Sequence, residues 1–297
     1  MYYNLKYYSD NGKMINFAFP EGIVITDIKG LSATSVSRIT SQGVYQVGTT
    51  VEDESVDGKT IVVSGQIVGD STQKKRQIID TIVPKTGATF VYNNEKEMRV
   101  NVSVSPETSR AKFDADFQFT LYAPYPYWRS IDKARVRIGG LLPRFKFPIN
   151  YYDPITHKFG ENVPTYFVDA ENKGNVPAPF DLVFLAKQTV TNHRVTKVDT
   201  GEYIQLGEDI DGKRYIMTAG EKAEVKMIGD KLQVDSTRGG VTTDIIDKLA
   251  YYSTPFELDV GENLLRYDAT VNRENLQVDL LLHPAWSGAY GDDNTFV

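Results

Sequence analysis

The sequence predicts a mainly β chain of two domains, on three observations. Most segments alternate apolar and polar residues with period two, turn residues separate them at short intervals, and one stretch alone shows helical spacing. Thr60–Gly69 reads as a strand bounded by turns at Asp57-Gly58 and Gly69-Asp70. Arg99–Ser105 and Asp114–Tyr122 alternate strictly and read as half-buried strands. In the second half, Phe180–Leu185, Glu202–Leu206 and Leu276–Leu282 read as strands, with turns at Asp211-Gly212, Gly229-Asp230 and Arg238-Gly239-Gly240. Many short strands joined by Gly/Asp turns favour a β-sandwich.

The helical stretch is Ser71–Val83. Asp70 followed three residues later by Gln73 has the form of a capping box. Ile78, Ile79, Ile82 and Val83 then form an apolar stripe opposite Lys74, Lys75 and Arg76, and Pro84 ends it. Between Tyr122 and Pro148 the composition changes: Ala123-Pro124-Tyr125-Pro126-Tyr127-Trp128 is followed by Gly139-Gly140 and Pro143. The domain boundary is placed there, giving domains 1–140 and 141–297, and 297 residues suffice for two cores.

Hydrophobic residues make up 41% and charged residues 24%, which is a globular composition, and the net charge of −6 argues against a phosphate-tracking nucleic-acid binder. Cysteine is absent, which excludes disulfides and thiolate ligands; histidine occurs only at His157, His193 and His283, with no close pair. The beginning of the chain, MYYNLKYYSDNGK, lacks the apolar core of a signal peptide, and no apolar run approaches membrane-spanning length, so export and membrane insertion are not expected. Asn101-Val102-Ser103 matches a glycosylation sequon but reads as part of a polar strand face.

Each chemical motif has a plainer structural reading. Gly43–Thr50 nearly spells a phosphate-binding loop, but Thr49 stands where the lysine should be and Val51-Glu52-Asp53-Glu54 follows instead of a helix; a hairpin loop is expected. Glu52/Asp53/Glu54, Asp114/Asp116 and Asp209/Asp211 could bind a hard cation or act as a glycosidase pair, but read as solvated strand and turn residues. Asp209–Gly212 lacks the later ligands of a calcium loop. No nucleophile elbow is present, and the three histidines, with His193 beside a probable turn, read as structural or solvent-facing. Trp128, Trp286, Tyr290 and the Tyr2/Tyr3/Tyr7/Tyr8 cluster could stack on sugar rings, or serve as core and subunit contacts. No catalytic, cofactor-binding or metal residue is therefore assigned.

Several segments in order carry a resemblance. They are Gly22-Ile23-Val24-Ile25, Ile28-Lys29-Gly30-Leu31, Gly43-Val44-Tyr45, Ser64-Gly65-Gln66-Ile67, the helix, and Pro124-Tyr125-Pro126-Tyr127-Trp128. Pro143–Pro148, Asn172–Asn175 with Pro177 and Pro179, Ser253–Asn263 and Pro284-Ala285-Trp286-Ser287-Gly288 follow. This series resembles the distal tail protein family of long-tailed phages of Gram-positive bacteria. It departs from the family's aromatic-x-Gly-Val ending, having Gly288-Ala289-Tyr290-Gly291 there, and in its length before Phe180.

The resemblance implies an N-terminal β-sandwich-like ring (belt) domain and a C-terminal galectin-like β-sandwich. It implies a structural, non-enzymatic virion component made in the host cytoplasm, without cofactor, sequence-specific nucleic acid or membrane contact. The implied assembly is a homo-oligomeric ring, typically a hexamer, joining the tail tube to the baseplate or tip. Implied partners are the tail tube protein, the tape-measure protein, a tail tip or tail-associated lysin protein, and receptor-binding or fibre proteins. The loops Asp209–Lys213 and Arg238–Thr243 are the expected contacts for peripheral proteins. A carbohydrate-binding module protein recognising a bacterial surface is the alternative, and a cell-wall hydrolase the third reading.

Overall fold

The computed structural model describes residues 4–138, 140–143, 160–163, 166–210, 213–228 and 231–289. Among them the chain is mainly β, every strand pairing is antiparallel, and there is one α-helix. No helix among the described residues is long and apolar enough to cross a membrane. The chain divides into two compact units. The first runs to Asp132 and takes back the segment starting at Ala285; the second is Lys133–Pro284.

The first unit contains β1 (Leu5–Ser9), β2 (Met14–Phe17), β3 (Ile23–Lys29), β4 (Val36–Ser41), β5 (Thr50–Val56) and β6 (Lys59–Asp70). Helix α1 (Thr72–Thr81) is followed by β7 (Gly87–Tyr92), β8 (Lys96–Thr108), β9 (Phe113–Ala123) and β10 (Trp128–Ser130). The main sheet runs β2-β1-β7-β8-β9-β6-β3, and β10 adds to β8. Its end strands β2 and β3 touch, so the sheet curls around its own apolar face. Inside, Phe17 of β2 stacks on Phe117 and Phe119 of β9 at 6.1 and 5.9 Å. Gly65 makes room for this packing: a Cβ there would lie 2.3 Å from the Phe117 ring and 2.4 Å from the Val24 carbonyl.

The helix lies where the sequence predicts, but the capping box does not form, since Ser71 is the N-cap without a side-chain cap hydrogen bond, and the helix buries a narrower stripe. Asp70 accepts the Thr72 amide at 2.9 Å, and this bond holds its carboxyl below the usual carboxylate range. Ile78 and Ile82, four residues apart, are buried, whereas Ile79 and Val83 are 49% and 36% exposed. Ile79 is displaced by about 100° around the axis from Ile78, and Val83 lies beyond the end of the helix at Thr81; among the described residues neither is buried.

The second unit contains β11 (Ala134–Ile138), β12 (Gly140–Pro143), β13 (Gly160–Val163), β14 (Phe167–Asn172), β15 (Phe180–Ala186), β16 (Val190–Lys197) and β17 (Tyr203–Leu206). These are followed by β18 (Ile216–Met217), β19 (Lys222–Ile228), β20 (Lys231–Arg238), β21 (Val241–Asp244), β22 (Gly261–Val271) and β23 (Leu276–Leu282). One sheet has the order β11-β23-β15-β19-β20-β21, the other β14-β22-β16-β17 with β18 on β16. The two pack as a β-sandwich: Phe184 of the first meets His193 of the second edge-on, ring centroids 4.4 Å apart. Strands β12 and β13 form a separate ribbon.

The sequence marks the joint by its Pro/Gly content, at 140/141, whereas strand pairing draws it at 132/133. Ala134–Ile138 is an edge strand on β23, fixed by Arg135 and Arg137 to the nearly buried Asp279 carboxylate at 2.5 and 2.9 Å. At the other end, Ala285–Trp286 pairs with Trp128–Arg129 of the first unit, so the second unit stops at Pro284.

Candidate functional site

The most exposed structured element is the β4–β5 hairpin. Its strands pair from Val36↔Val56 to Ser41↔Thr50 and, among the described residues, join no other sheet. Every residue from 35 to 56 is exposed. At the tip Val44, Tyr45 and Val47 are 87%, 101% and 101% accessible, with Ile39 at 61% further down. The tip is nevertheless ordered by Gln46, which accepts the Gly43 amide at 2.9 Å and donates to Thr50 Oγ1 at 2.9 Å; Arg38 and Glu54 pair across the strands at 2.7 Å. A two-stranded hairpin is marginal alone in water, and three bare apolar side chains at its tip lose nothing by being covered. The loop that resembles a phosphate-binding motif is this tip, and it leads into strand β5.

The carboxylates singled out in the sequence are dispersed. Glu52, Asp53 and Glu54 lie on the hairpin. Asp114 has φ 50° and accepts the Gly69 amide at 2.9 Å, capping the bulge where the β6–β9 register shifts; Asp116 is exposed on β9. Asp209 accepts from Asn192 at 2.9 Å, and Asp211 lies outside the described residues. Among the described residues no three His, Asp or Glu side chains are grouped to hold a metal ion.

The histidines have separate fates. His157 lies outside the described residues. His193, placed beside a turn by the sequence, is instead mid-strand in β16 and fully buried. Neither ring nitrogen has a hydrogen-bond partner, and burial pushes its pKa down to about 3, against a small opposing effect from Glu221. His283 is buried with Nε2 3.2 Å from Asp181, which also takes Lys133 at 3.2 Å. Despite the burial that opposes ionisation, these partners hold the Asp181 carboxyl below its usual range.

Two aromatics considered as sugar platforms belong to the core: Trp128 is fully buried and donates Nε1–H to the Leu31 carbonyl at 2.8 Å, and Tyr7 is also fully buried. Trp286 lies under the Lys96 ammonium at 4.5 Å. Tyr8 is 40% exposed, while Tyr2, Tyr3 and Tyr290 lie outside the described residues.

Of the two loops expected to meet peripheral proteins, 209–213 is described only in part; Ile210 there is 61% exposed. Arg238–Val241 is a tight turn with Gly239 and Gly240 both at positive φ, 58° and 81°, which only glycine adopts freely. The sequence reading passed over Lys59, Lys96 and Glu221, all nearly buried. Lys59 Nζ donates to the Ser287 carbonyl at 2.7 Å and the Leu31 carbonyl at 3.4 Å, and Lys96 Nζ to that of Ala289 at 3.2 Å. Glu221 accepts from Tyr215 and Ser236, each at 2.7 Å, and from the Thr218 amide at 3.0 Å. Chain parity carried a signal for the lysines: Lys59 shares its strand face with Ile61 and Val63, and Lys96 with Met98 and Val100.

Neither a family model nor a curated protein sequence matches the chain. Solved structures do. The chain is similar to the SPP1 Dit protein, described as a paradigm of the hub adsorption apparatus in Gram-positive infecting phages, with TM-score 0.63, 12% identity, and coverage of 95% of this chain and 98% of that one. It is also similar to a chain of the phage P2 baseplate in its activated conformation with Ca, with TM-score 0.57, 11% identity, and coverage of 95% and 98%. The corresponding structure with Sr gives TM-score 0.53, 10% identity, and coverage of 95% and 97%. The chain thus has the fold of phage distal tail and baseplate hub proteins along nearly its whole length.

Proposed function

We propose that this chain is a structural component of a phage tail tip, a hub subunit that assembles with copies of itself into a ring. The observation that carries the reading is the shared fold over 95% of the chain, through both units. A likeness confined to one sandwich would say little, because sandwiches serve many functions. The β4–β5 hairpin supports the ring: an ordered, fully exposed arm with apolar residues at its tip suits a head-to-tail contact, which closes when the rotation between neighbours is regular. In this reading the ring joins the tail tube to the tip, its neighbours are the tube, tape-measure and tip proteins, and the second unit carries fibres or receptor-binding proteins. The role needs no reaction at any carboxylate or histidine of the chain.

The test is light scattering and negative-stain imaging of the full chain, at high concentration and with its tip protein, beside a Val44→Ser/Tyr45→Ser/Val47→Ser variant. Closed rings in the first and their loss in the second are expected. Monomers under both conditions would overturn the ring, and rings unaffected by the variant would remove the hairpin from it.

A further inference from the structure

The second unit carries a polar groove that the hub role leaves unused. It lies on the five-stranded sheet, has a volume of about 300 Å³, and is lined by Asn192, Arg194, Gln205, Asp268, Ala269 and Thr270. Strand register builds it: Arg194 of β16 stands directly opposite Gln205 of β17 on one side and Asp268 of β22 on the other. In the adjacent row Arg266 stands opposite both Thr196 and Phe167.

Three guanidinium groups converge here, each held by an aromatic ring. Arg194 lies over Tyr203 at 5.9 Å, Arg266 over Phe167 at 5.9 Å, and Arg273 over Tyr166 at 3.5 Å. Asp268 is their shared counter-ion, accepting from Arg266 at 3.0 Å and from Arg273 at 3.2 Å. Arg194 is left over. It lies 3.9 Å from Asp268 and donates no hydrogen bond among the described residues. Its fork of N–H donors is half-exposed, oriented by Tyr203 and only loosely paired; three cations surround Asp268, and the other nearby carboxylate, Asp209, is held by the lining Asn192 at 2.9 Å and paired with Arg214 at 3.7 Å.

We propose that this groove binds an anionic, hydroxyl-rich ligand, a sugar or polyol bearing a phosphate or carboxylate group, with Arg194 taking the anion. A planar fork with free donors matches the paired oxygens of either group. The Gln205 amide and the Thr270 hydroxyl supply neutral partners for hydroxyls along the same wall. The lining favours a small polar ligand over a protein surface, because protein interfaces centre on buried aromatic and aliphatic anchors and the described lining residues include none. The volume lies at the small end of ligand pockets, enough for one or two sugar units. The site lies within the second unit and does not depend on the ring.

The experiment is titration of the full chain with glucose 1-phosphate, glucuronate, glucose and inorganic phosphate, by calorimetry or heteronuclear NMR. Arg194→Gln is compared with Lys173→Gln, which removes the same charge from an exposed position remote from the groove in sequence. Binding of a sugar anion that weakens roughly tenfold or more in Arg194→Gln, is unchanged in Lys173→Gln, and falls with added salt is expected. Preference for glucose 1-phosphate or for glucuronate identifies the anion and supports the site either way. Equal binding by wild type and Arg194→Gln, binding of glucose as tight as of the anions, inorganic phosphate matching the sugar phosphate, or no binding of any probe would each overturn it. A purified acidic partner protein that binds in an Arg194-dependent way while the sugar anions do not would overturn it too.

Discussion

The two units bury their polar groups in different ways. In the first, the apolar core is aromatic and aliphatic with the Tyr7 hydroxyl unpaired inside it, and the nearly buried cations, Lys59 and Lys96, lie at strand ends where their ammonium groups meet backbone carbonyls of residues 287 and 289. In the second, polar groups reach further in: His193 is mid-strand with no partner, and Glu221, Asp181 and Asp279 are nearly buried. A buried group with partners organises the chain around it; one without partners is a standing cost. The first unit therefore depends on a distant segment of the chain for completion and is sensitive to pH in the alkaline range, whereas the second carries an acid sensitivity in its core.

Removing the distant segment is the strongest way to break this contrast. A chain ending at Pro284 loses the Trp128↔Trp286 pairing, the buried Ala289 and carbonyl acceptors of both lysines. The first unit should lose on the order of 3 kcal/mol or more, read by Trp128 fluorescence in urea and by hydrogen exchange in β8 and β10. An unchanged midpoint would show that the return strand is ornamental.

Lys59 sharpens the comparison next. Burial lowers its pKa from 10.5 to about 8, so between those values the unfolded chain binds more protons than the folded one, and stability rises with pH. Relative to Lys59→Met, the wild type should gain roughly 1–3 kcal/mol across pH 8 to 10.5 and nothing below. Parallel stability profiles for the two proteins would refute this.

In the second unit the sign is the same but the window is acidic. His193 has a pKa of about 3 in the folded chain against 6.5 when exposed, so stability is complete above pH 6.5 and falls as pH drops toward 3. His193→Leu should flatten that fall and stabilise the unit by about 1–2 kcal/mol near neutrality, since two unpaired buried nitrogens disappear. A destabilised variant, with an unchanged acid limb in thermal melts, would contradict the account. The smallest effect belongs to the hairpin. Its triple serine variant should shift monomer stability by less than about 0.5 kcal/mol, because these side chains touch solvent in the monomer. A large loss in a calorimetric scan would mean the tip is packed.

Local physics alone determined the class of this protein. Period-two alternation over Thr60–Gly69, Asp114–Tyr122 and Leu276–Leu282 is the imprint of a sheet with one buried face, and each segment is a strand; Ile78 and Ile82 at four-residue spacing mark the helix. The ordered series of turns and strands carried the resemblance that implied the fold. What only tertiary structure decided depends on partners far along the chain. Ile79 and Ile78 are alike in sequence, and the sheet beneath selects one of them. Trp128 and Trp286 are alike in kind, yet they meet only because the last segment crosses back to the first unit. Asn192 and Arg194 flank a histidine of the same strand, and the pleat sends His193 into the sandwich while Arg194 lines the groove on β17 and β22. Pleat parity is written in the sequence; which face meets a second sheet, and which lines the groove, is set by long-range pairing, whose free energy no local window contains.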